Sequence, residues 1–227
     1  MLSLILENQA LLLSGLENTI ILLILSASIG FMLAIALTYF TLNKCTWLKK
    51  IAKSYIFVIR GTPFLLQLYI IYYGSMQFNW VIHSPVGTLL KSSMVCALLA
   101  LTLNTAAYTS VVFTGAIQNL NQKEILAGKA LGLGSLRIFK SIVLPQMFFK
   151  ILPVYSNELI MLMKCTAIAS SVTVIDIMGA TQQIISMTYQ SIPCLVIAAI
   201  IYTMISAAIM IPSKIVYHYY CKKIGAI

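Results

Sequence analysis

Residues 151–175 read ILPVYSNELIMLMKCTAIASSVTVI, and whether they cross a membrane decides the fold. The stretch is long enough to span a bilayer, since roughly 20 mostly apolar residues suffice, but Pro153, Asn157, Glu158 and Lys164 interrupt it. Hydropathy alone ranks it below four other stretches, 16–42, 56–76, 94–116 and 193–212, each of which meets the standard. Charge settles the matter. With 151–175 counted, five spans alternate, and the basic residues fall on one side: Lys44, Lys49, Lys50 and Lys53 after the first span, Lys123, Lys129, Arg137, Lys140 and Lys150 after the third, and Lys214, Lys222 and Lys223 after the fifth. The other side holds His83, Lys91 and Asp176. Cytoplasmic loops carry the excess of Lys and Arg, so the N-terminus is expected outside and the C-terminus in the cytoplasm. A four-span chain would put the cationic region after the third span on the same side as the uncharged segment 181–192, and it is rejected for that reason.

Composition agrees. Of 227 residues 60% are hydrophobic and 9% charged, and the mean hydropathy of +0.96 excludes an ordinary soluble enzyme. The formal charge of +10 would suggest nucleic acid in a soluble protein. Here the cations lie between apolar runs, so the charge reports topology and no nucleic-acid partner is implied. The five cysteines include no CxxC pair, and Cys96, Cys165 and Cys194 lie in apolar stretches, which indicates neither a disulfide framework nor a zinc site. Glu7 and the lack of a basic stretch before the first apolar run argue against a cleaved signal peptide.

The chain reads as one all-α membrane domain, 1–227, with its largest polar region at 118–150. Gly128, Gly132 and Gly134 there precede Leu136, Phe139 and Val143 at helical spacing, with Arg137 and Lys140 on another face. That pattern predicts a short helix, a glycine turn and a second amphipathic helix at the membrane surface. A simple anchor would need no glycine-broken first helix, so a docking element is in view.

Glu158 is the carboxylate well inside a span, and a charge at the bilayer centre costs about 2.5–3.5 kcal/mol on insertion scales. Lys164 lies six positions on, roughly 240° around the helix, so the two do not pair. Glu158 stacks instead over Leu162 and Cys165 and faces either a cation from another helix or a cationic substrate. Arg60 opens Arg60-Gly61-Thr62-Pro63 and either snorkels to the cytoplasmic interface or serves a pathway where Gly61 and Pro63 break the helix. Asn104, Thr105, Tyr108, Asn157 and Thr166 supply neutral hydrogen bonds, as interhelical glue or as lining. No catalytic or metal motif survives inspection. A P-loop ending at Gly128-Lys129 would need glycine where Lys123 stands, and no HExxH or nucleophile elbow occurs. His83 and His218 lie in opposite flanks and cannot share a metal. An ion-coupled secondary transporter or channel remains the alternative, although five spans divide poorly into the inverted halves such proteins show. A noncatalytic assembly or receptor subunit is a third.

Leu131-Gly132-Leu133-Gly134, continuing to Ile142-Val143-Leu144-Pro145, resembles the cytoplasmic EAA loop of permease subunits of bacterial binding-protein-dependent ABC importers. Arg60-Gly61-Thr62-Pro63 with Gln67 and Tyr72-Tyr73-Gly74, then Leu103-Asn104-Thr105-Ala106-Ala107-Tyr108, then Tyr155-Ser156-Asn157-Glu158, are similar to the polar amino acid branch, and most like arginine and histidine permease subunits. The likeness covers about residues 15–217, in the order of the five spans. It implies a type I ABC importer transmembrane fold in a multi-pass chain of the bacterial inner membrane. The chain would pair with a second permease chain, identical or related, and move a polar, basic amino acid inward by alternating access. A periplasmic amino-acid-binding protein would deliver the substrate, and two ATP-binding subunits would carry ATP and magnesium, this chain having no cofactor and no catalytic role of its own. Glu158, Asn157, Arg60, Thr62, Asn104 and Thr166 become the candidate substrate residues. Glu124, Leu126, Ala127, Gly128, Ala130, Gly132 and Pro145 become the candidate coupling residues.

The chain departs from the pattern at three places. Aligned on Gly132, the family's loop glutamate falls at Leu126, with Glu124 two residues earlier. Cys165 stands where an acidic residue or serine is common, and Phe64 follows the RGTP proline where some relatives carry a carboxylate.

Overall fold

Helix α6 (Ser93–Gln118) is packed on by the helices Gln9–Leu42, Thr46–Gly61 and Leu144–Thr166, whereas the last helix, Ser191–Ile224, lies against Leu144–Thr166 and Ile177–Thr188. The computed structural model describes residues 6–224. Before α6 come α1 (Gln9–Leu42), α2 (Thr46–Gly61), α3 (Phe64–Tyr69) with a wide π turn at Ile70–Gly74, and the short α4 (Asn79–Ile82) and α5 (Pro85–Leu90). After it come α7 (Gln122–Ala130), α8 (Ser135–Ile138) with a π turn at Phe139–Val143, α9 (Leu144–Thr166) with a 3₁₀ turn at Ala167–Val172, α10 (Ile177–Thr188) and α11 (Ser191–Ile224).

The contact between α1 and α6 rests on small residues, because between lipid-embedded helices close packing has to replace the hydrophobic drive available in water. On α1 the buried residues Ser26, Gly30, Ala34 and Thr38 recur every four positions. They meet Thr102, Thr105, Ala106, Thr109 and Ser110 on α6, all buried as well. Thr38 donates to its own helix at the Ala34 carbonyl, 2.7 Å, and across to the Ser110 carbonyl, 3.3 Å. Large apolar residues of α1 such as Ile24, Met32 and Ile35 point outward. A Cβ on Gly30 would sit 3.0 Å from Thr105 Cγ2 and 3.3 Å from the Thr102 carbonyl. Gly30→Leu is therefore expected to destabilise the bundle by about 1–3 kcal/mol through overpacking. Thermal unfolding in detergent should show the loss, with the exposed Met32→Leu as an unaffected control.

The structure reverses the order of certainty among the spans. The doubtful stretch 151–175 belongs largely to a helical run from Ser135 to Val172, 38 residues long. The stretch 56–76, counted among the secure spans, is instead two helices, Thr46–Gly61 and Phe64–Gly74, bent by 107° at the Gly61–Pro63 weak point. Proline explains the break. Pro63 has no N–H to continue the ladder and its ring drives the preceding residue out of the helical region, and Thr62 is extended at φ −112° and ψ 144°. Among the described residues four helices are long and apolar enough to cross a membrane, or five if the bent pair is one span.

The expected surface helix after the glycine turn is corrected too. Within that long run α8, the π turn and α9 follow one another directly, so the amphipathic segment runs on into a span. Pro145, which has no N–H to donate, follows closely on the π turn at Phe139–Val143, where the regular hydrogen-bond ladder is already interrupted.

The segment between the last two spans is firmly held. Asp176, fully buried, caps α10 by accepting the Gly179 N–H at 2.9 Å, and the Tyr202 hydroxyl of α11 donates to its other oxygen at 3.1 Å. Asn18 donates to the Ile175 carbonyl at 2.8 Å, and Thr19 accepts the Ile177 N–H at 3.1 Å. Gly15 lets α1 approach, since a Cβ there would lie 2.8 Å from the Asp176 carbonyl oxygen.

Candidate functional site

The break after Gly61 is stitched by a buried amide. Gln67 Nε2 points at the Ile59 carbonyl (2.7 Å), the Thr62 carbonyl (3.0 Å) and Thr62 Oγ1 (2.8 Å). Its Oε1 accepts from Asn104 Nδ2 on α6 at 3.2 Å. The backbone groups released by Pro63 are thus satisfied inside the protein, as exposed backbone at membrane depth requires. Tyr55 adds a second tie, its hydroxyl donating to the Leu103 carbonyl at 2.7 Å.

Arg60 ends α2 at this break and lays its guanidinium over the Tyr108 ring, 5.1 Å from the centroid. Such a contact holds a cation while leaving its N–H groups free to bind. Beside it opens a cavity of about 670 Å³ lined by Lys53, Arg60, Tyr108, Thr114 and Gln118, among others.

Glu158 approaches from α9 and is half-buried. An aromatic triad fixes that turn of the helix: Tyr155 meets Phe31 of α1 and Phe113 of α6 at centroid separations of 5.7 and 6.3 Å, and the latter two meet at 5.1 Å. Ser156 donates to the Leu152 carbonyl at 2.7 Å and accepts from the Ser213 hydroxyl of α11. Arg60 and Glu158 lie within electrostatic reach of each other with opposite charge, and Cys165 follows Glu158 on the same face of α9 two turns on. Among the described residues Glu158 makes no hydrogen bond, so its acceptor sites stand open within electrostatic reach of Arg60, whereas Thr62 and Asn104 are held together by Gln67. Asn157 is exposed beside it. Thr166 lies apart, fully buried, donating to the Met163 carbonyl at 2.6 Å near Tyr202 and Asp176.

At the other end α7 is tied down at its start. Asn121 caps it through the Lys123 N–H at 3.2 Å and donates to Glu124 Oε1 at 2.6 Å. Gln146 on α9 donates to the second Glu124 oxygen, and Lys150 to the Asn119 carbonyl. Glu124 is thus occupied within the chain. Helix α7 ends in a Schellman turn: Gly132 N–H reaches the Lys129 carbonyl at 3.0 Å and Leu133 N–H the Gly128 carbonyl at 3.1 Å. Gly132 takes φ +72°, the left-handed conformation that glycine adopts without steric cost. Gly128 faces inward, where a Cβ would meet only the tip of Ile142, at 2.9 Å. Leu126, Ala127 and Ala130 are exposed, and Pro145 starts α9 behind them.

Gln67 and Asp176 are the organising residues that sequence reasoning did not single out as site candidates. An amide five residues past Thr62 in an apolar run was the available signal for the first. For the second it was a carboxylate three residues before Gly179, which has the spacing of a helix cap.

Residues 26–225 match the family described as binding-protein-dependent transport system inner membrane component. Among curated relatives, the octopine transport system permease protein OccM of Rhizobium radiobacter is 40% identical over 195 residues, covering 86% of this chain and 80% of OccM. The arginine ABC transporter permease protein ArtM of Haemophilus influenzae is 36% identical over 200 residues, 88% of each chain. The histidine/lysine/arginine/ornithine permease HisM of Salmonella typhimurium is 35% identical over 194 residues, 85% of this chain and 83% of HisM. A solved amino acid ABC transporter, crystallised with histidines, superposes with a TM-score of 0.83 at 27% identity, covering 95% of this chain and 96% of its own. With the helical membrane fold, the glycine elbow and nearly the whole length in register, the chain belongs to the binding-protein-dependent transport system inner membrane component family.

Proposed function

We propose that this chain is the membrane-spanning permease subunit of an ATP-driven importer that brings a basic amino acid of the arginine or histidine type into the cytoplasm by alternating access. The observation that carries the substrate class is Glu158, a half-buried carboxylate among apolar helices with open acceptor sites and with Arg60 within electrostatic reach. Its negative charge suits the side-chain cation of such a substrate, while Arg60, held by Tyr108, suits the carboxylate. The relatives whose names specify arginine, octopine or histidine support the same class. Asn157 and Thr166 remain candidates on the same helix.

The N-terminus is assigned to the outside and the C-terminus to the cytoplasm, with five spans counted by taking the bent pair as one. The elbow 118–150 then faces the cytoplasm, where Glu124, Leu126, Ala127, Gly128, Ala130, Gly132 and Pro145 form the element that a partner ATPase moves. ATP and magnesium belong to that partner, a second permease chain completes the path, and a periplasmic binding protein loads it from the outside of the inner membrane. The test is uptake into proteoliposomes containing the assembled transporter and supplied with the binding protein. Uptake should require ATP on the side of the ATPase and should persist when proton and sodium gradients are collapsed. Uptake driven by a gradient without ATP would favour the ion-coupled secondary transporter.

A further inference from the structure

On α7, Leu126, Ala127 and Ala130 fall within about 100° of one another at 100° per residue, and Leu131, just after the helix, continues the exposed surface. The two leucines are unusually open, Leu126 at 61% and Leu131 at 80% exposure, and Leu136 just beyond the elbow stands at 68%. Lys123 extends the same side one turn toward the N-terminus, Lys129 stands about 60° from Leu126 around the helix, and Arg137 and Lys140 follow beyond the elbow, all exposed. The one carboxylate between residues 118 and 150 is Glu124. Both its oxygens are taken by Asn121 and Gln146, which turns it to fastening α7 onto α9. The exposed side of the elbow therefore carries an apolar stretch from Leu126 to Leu131 with cations at its ends and flank.

Resting on the reading of this chain as a permease driven by a separate ATPase, we propose that the elbow binds that subunit through the Leu126–Leu131 stretch and its flanking cations, with no acidic anchor. The occupant is an ATPase whose docking groove has an apolar floor and an acidic edge. Charge complementarity selects it: a groove lined with Arg or Lys would face four cations with no free carboxylate to answer them. The apolar stretch supplies the burial, and the cations supply orientation and partner choice. An ATPase built to receive a glutamate at position 126 would meet a leucine, leaving its own buried cation unpaired.

The test uses the full transporter purified from its native host through a tag on this chain, scoring bound ATPase by its stoichiometry and ATP hydrolysis. Leu126→Glu should lower the bound ATPase at least tenfold, and Leu126→Met should keep it within about twofold. Lys129→Glu should weaken retention and make it less sensitive to salt, whereas the wild-type complex should loosen as ionic strength rises. Because these side chains are exposed, each variant should remain monodisperse in detergent, separating lost docking from lost folding. Undiminished ATPase on Leu126→Glu, or retention improved by either added glutamate, overturns the apolar dock while leaving the permease assignment standing. A wild-type chain that carries no ATPase overturns both.

Discussion

Glu158→Gln should reduce uptake of arginine by about ten- to a hundredfold while leaving uptake of a neutral polar amino acid within about twofold. The substitution preserves size and removes only the charge. If the carboxylate receives the cationic end of the substrate, what disappears is a charge-assisted hydrogen bond in a low-dielectric site, about 1.5–3 kcal/mol, and each 1.4 kcal/mol is roughly a factor of ten in affinity. A carboxylate that merely balanced Arg60 would give another result. Its removal would leave Arg60 facing the site alone and would depress every substrate equally. The local scaffold should tolerate the exchange, because the Tyr155 triad and Ser156 hold this turn of α9 without using Glu158. Competitive uptake of labelled arginine against a neutral amino acid reads the selectivity, and equal losses would assign Glu158 to structure.

The second large effect is expected at the elbow. Gly132→Val should abolish ATP-driven uptake while leaving most of the chain folded. At φ +72° a residue with a Cβ pays about 1–2 kcal/mol, and a β-branched residue more. Releasing the strain means opening the Schellman turn and losing its bonds from Gly132 and Leu133. Helix α7 would then swing relative to α8, whose run continues into the span bearing Glu158, so the mechanical connection fails at its joint. The bundle core between α1 and α6 lies elsewhere and should keep its unfolding temperature. By contrast Gly128→Ala should be nearly silent, because the added methyl meets only the movable end of Ile142. Parallel measurement of uptake and of ATPase retention for the two variants checks the contrast. A Gly132→Val transporter with normal uptake would remove the joint from the mechanism.

These expectations show how unevenly the sequence exposed the molecule. Charge segregation identified 151–175 as a span despite four interruptions, because topology is written in the loops as much as in the helices. The Pro63 break was visible as a weakness, but its 107° angle was not, since the angle depends on Gln67 bonding back to Ile59 and Thr62 and across to Asn104. The every-fourth-residue stripe from Ser26 to Thr38 lay in plain view and was obscured by hydropathy, which scores those residues as merely weak. The cap at Asp176 was masked in the same way, its charge having been read as a loop marker when it is a buried tie between α10 and α11. At the candidate site the residue types were legible, whereas the pairing of Arg60 with Tyr108 and the separate position of Thr166 are products of tertiary packing.

Site-directed crosslinking from the elbow tests the central claim most directly. With the five native cysteines replaced, a cysteine at Leu131 should resist membrane-impermeant thiol reagents added to intact cells, and should crosslink to the ATPase subunit in a yield that changes between nucleotide-free and ATP-bound states. Labelling from outside the cell, or crosslinks to lipid alone whatever the nucleotide, would contradict an importer worked from the cytoplasm through this joint.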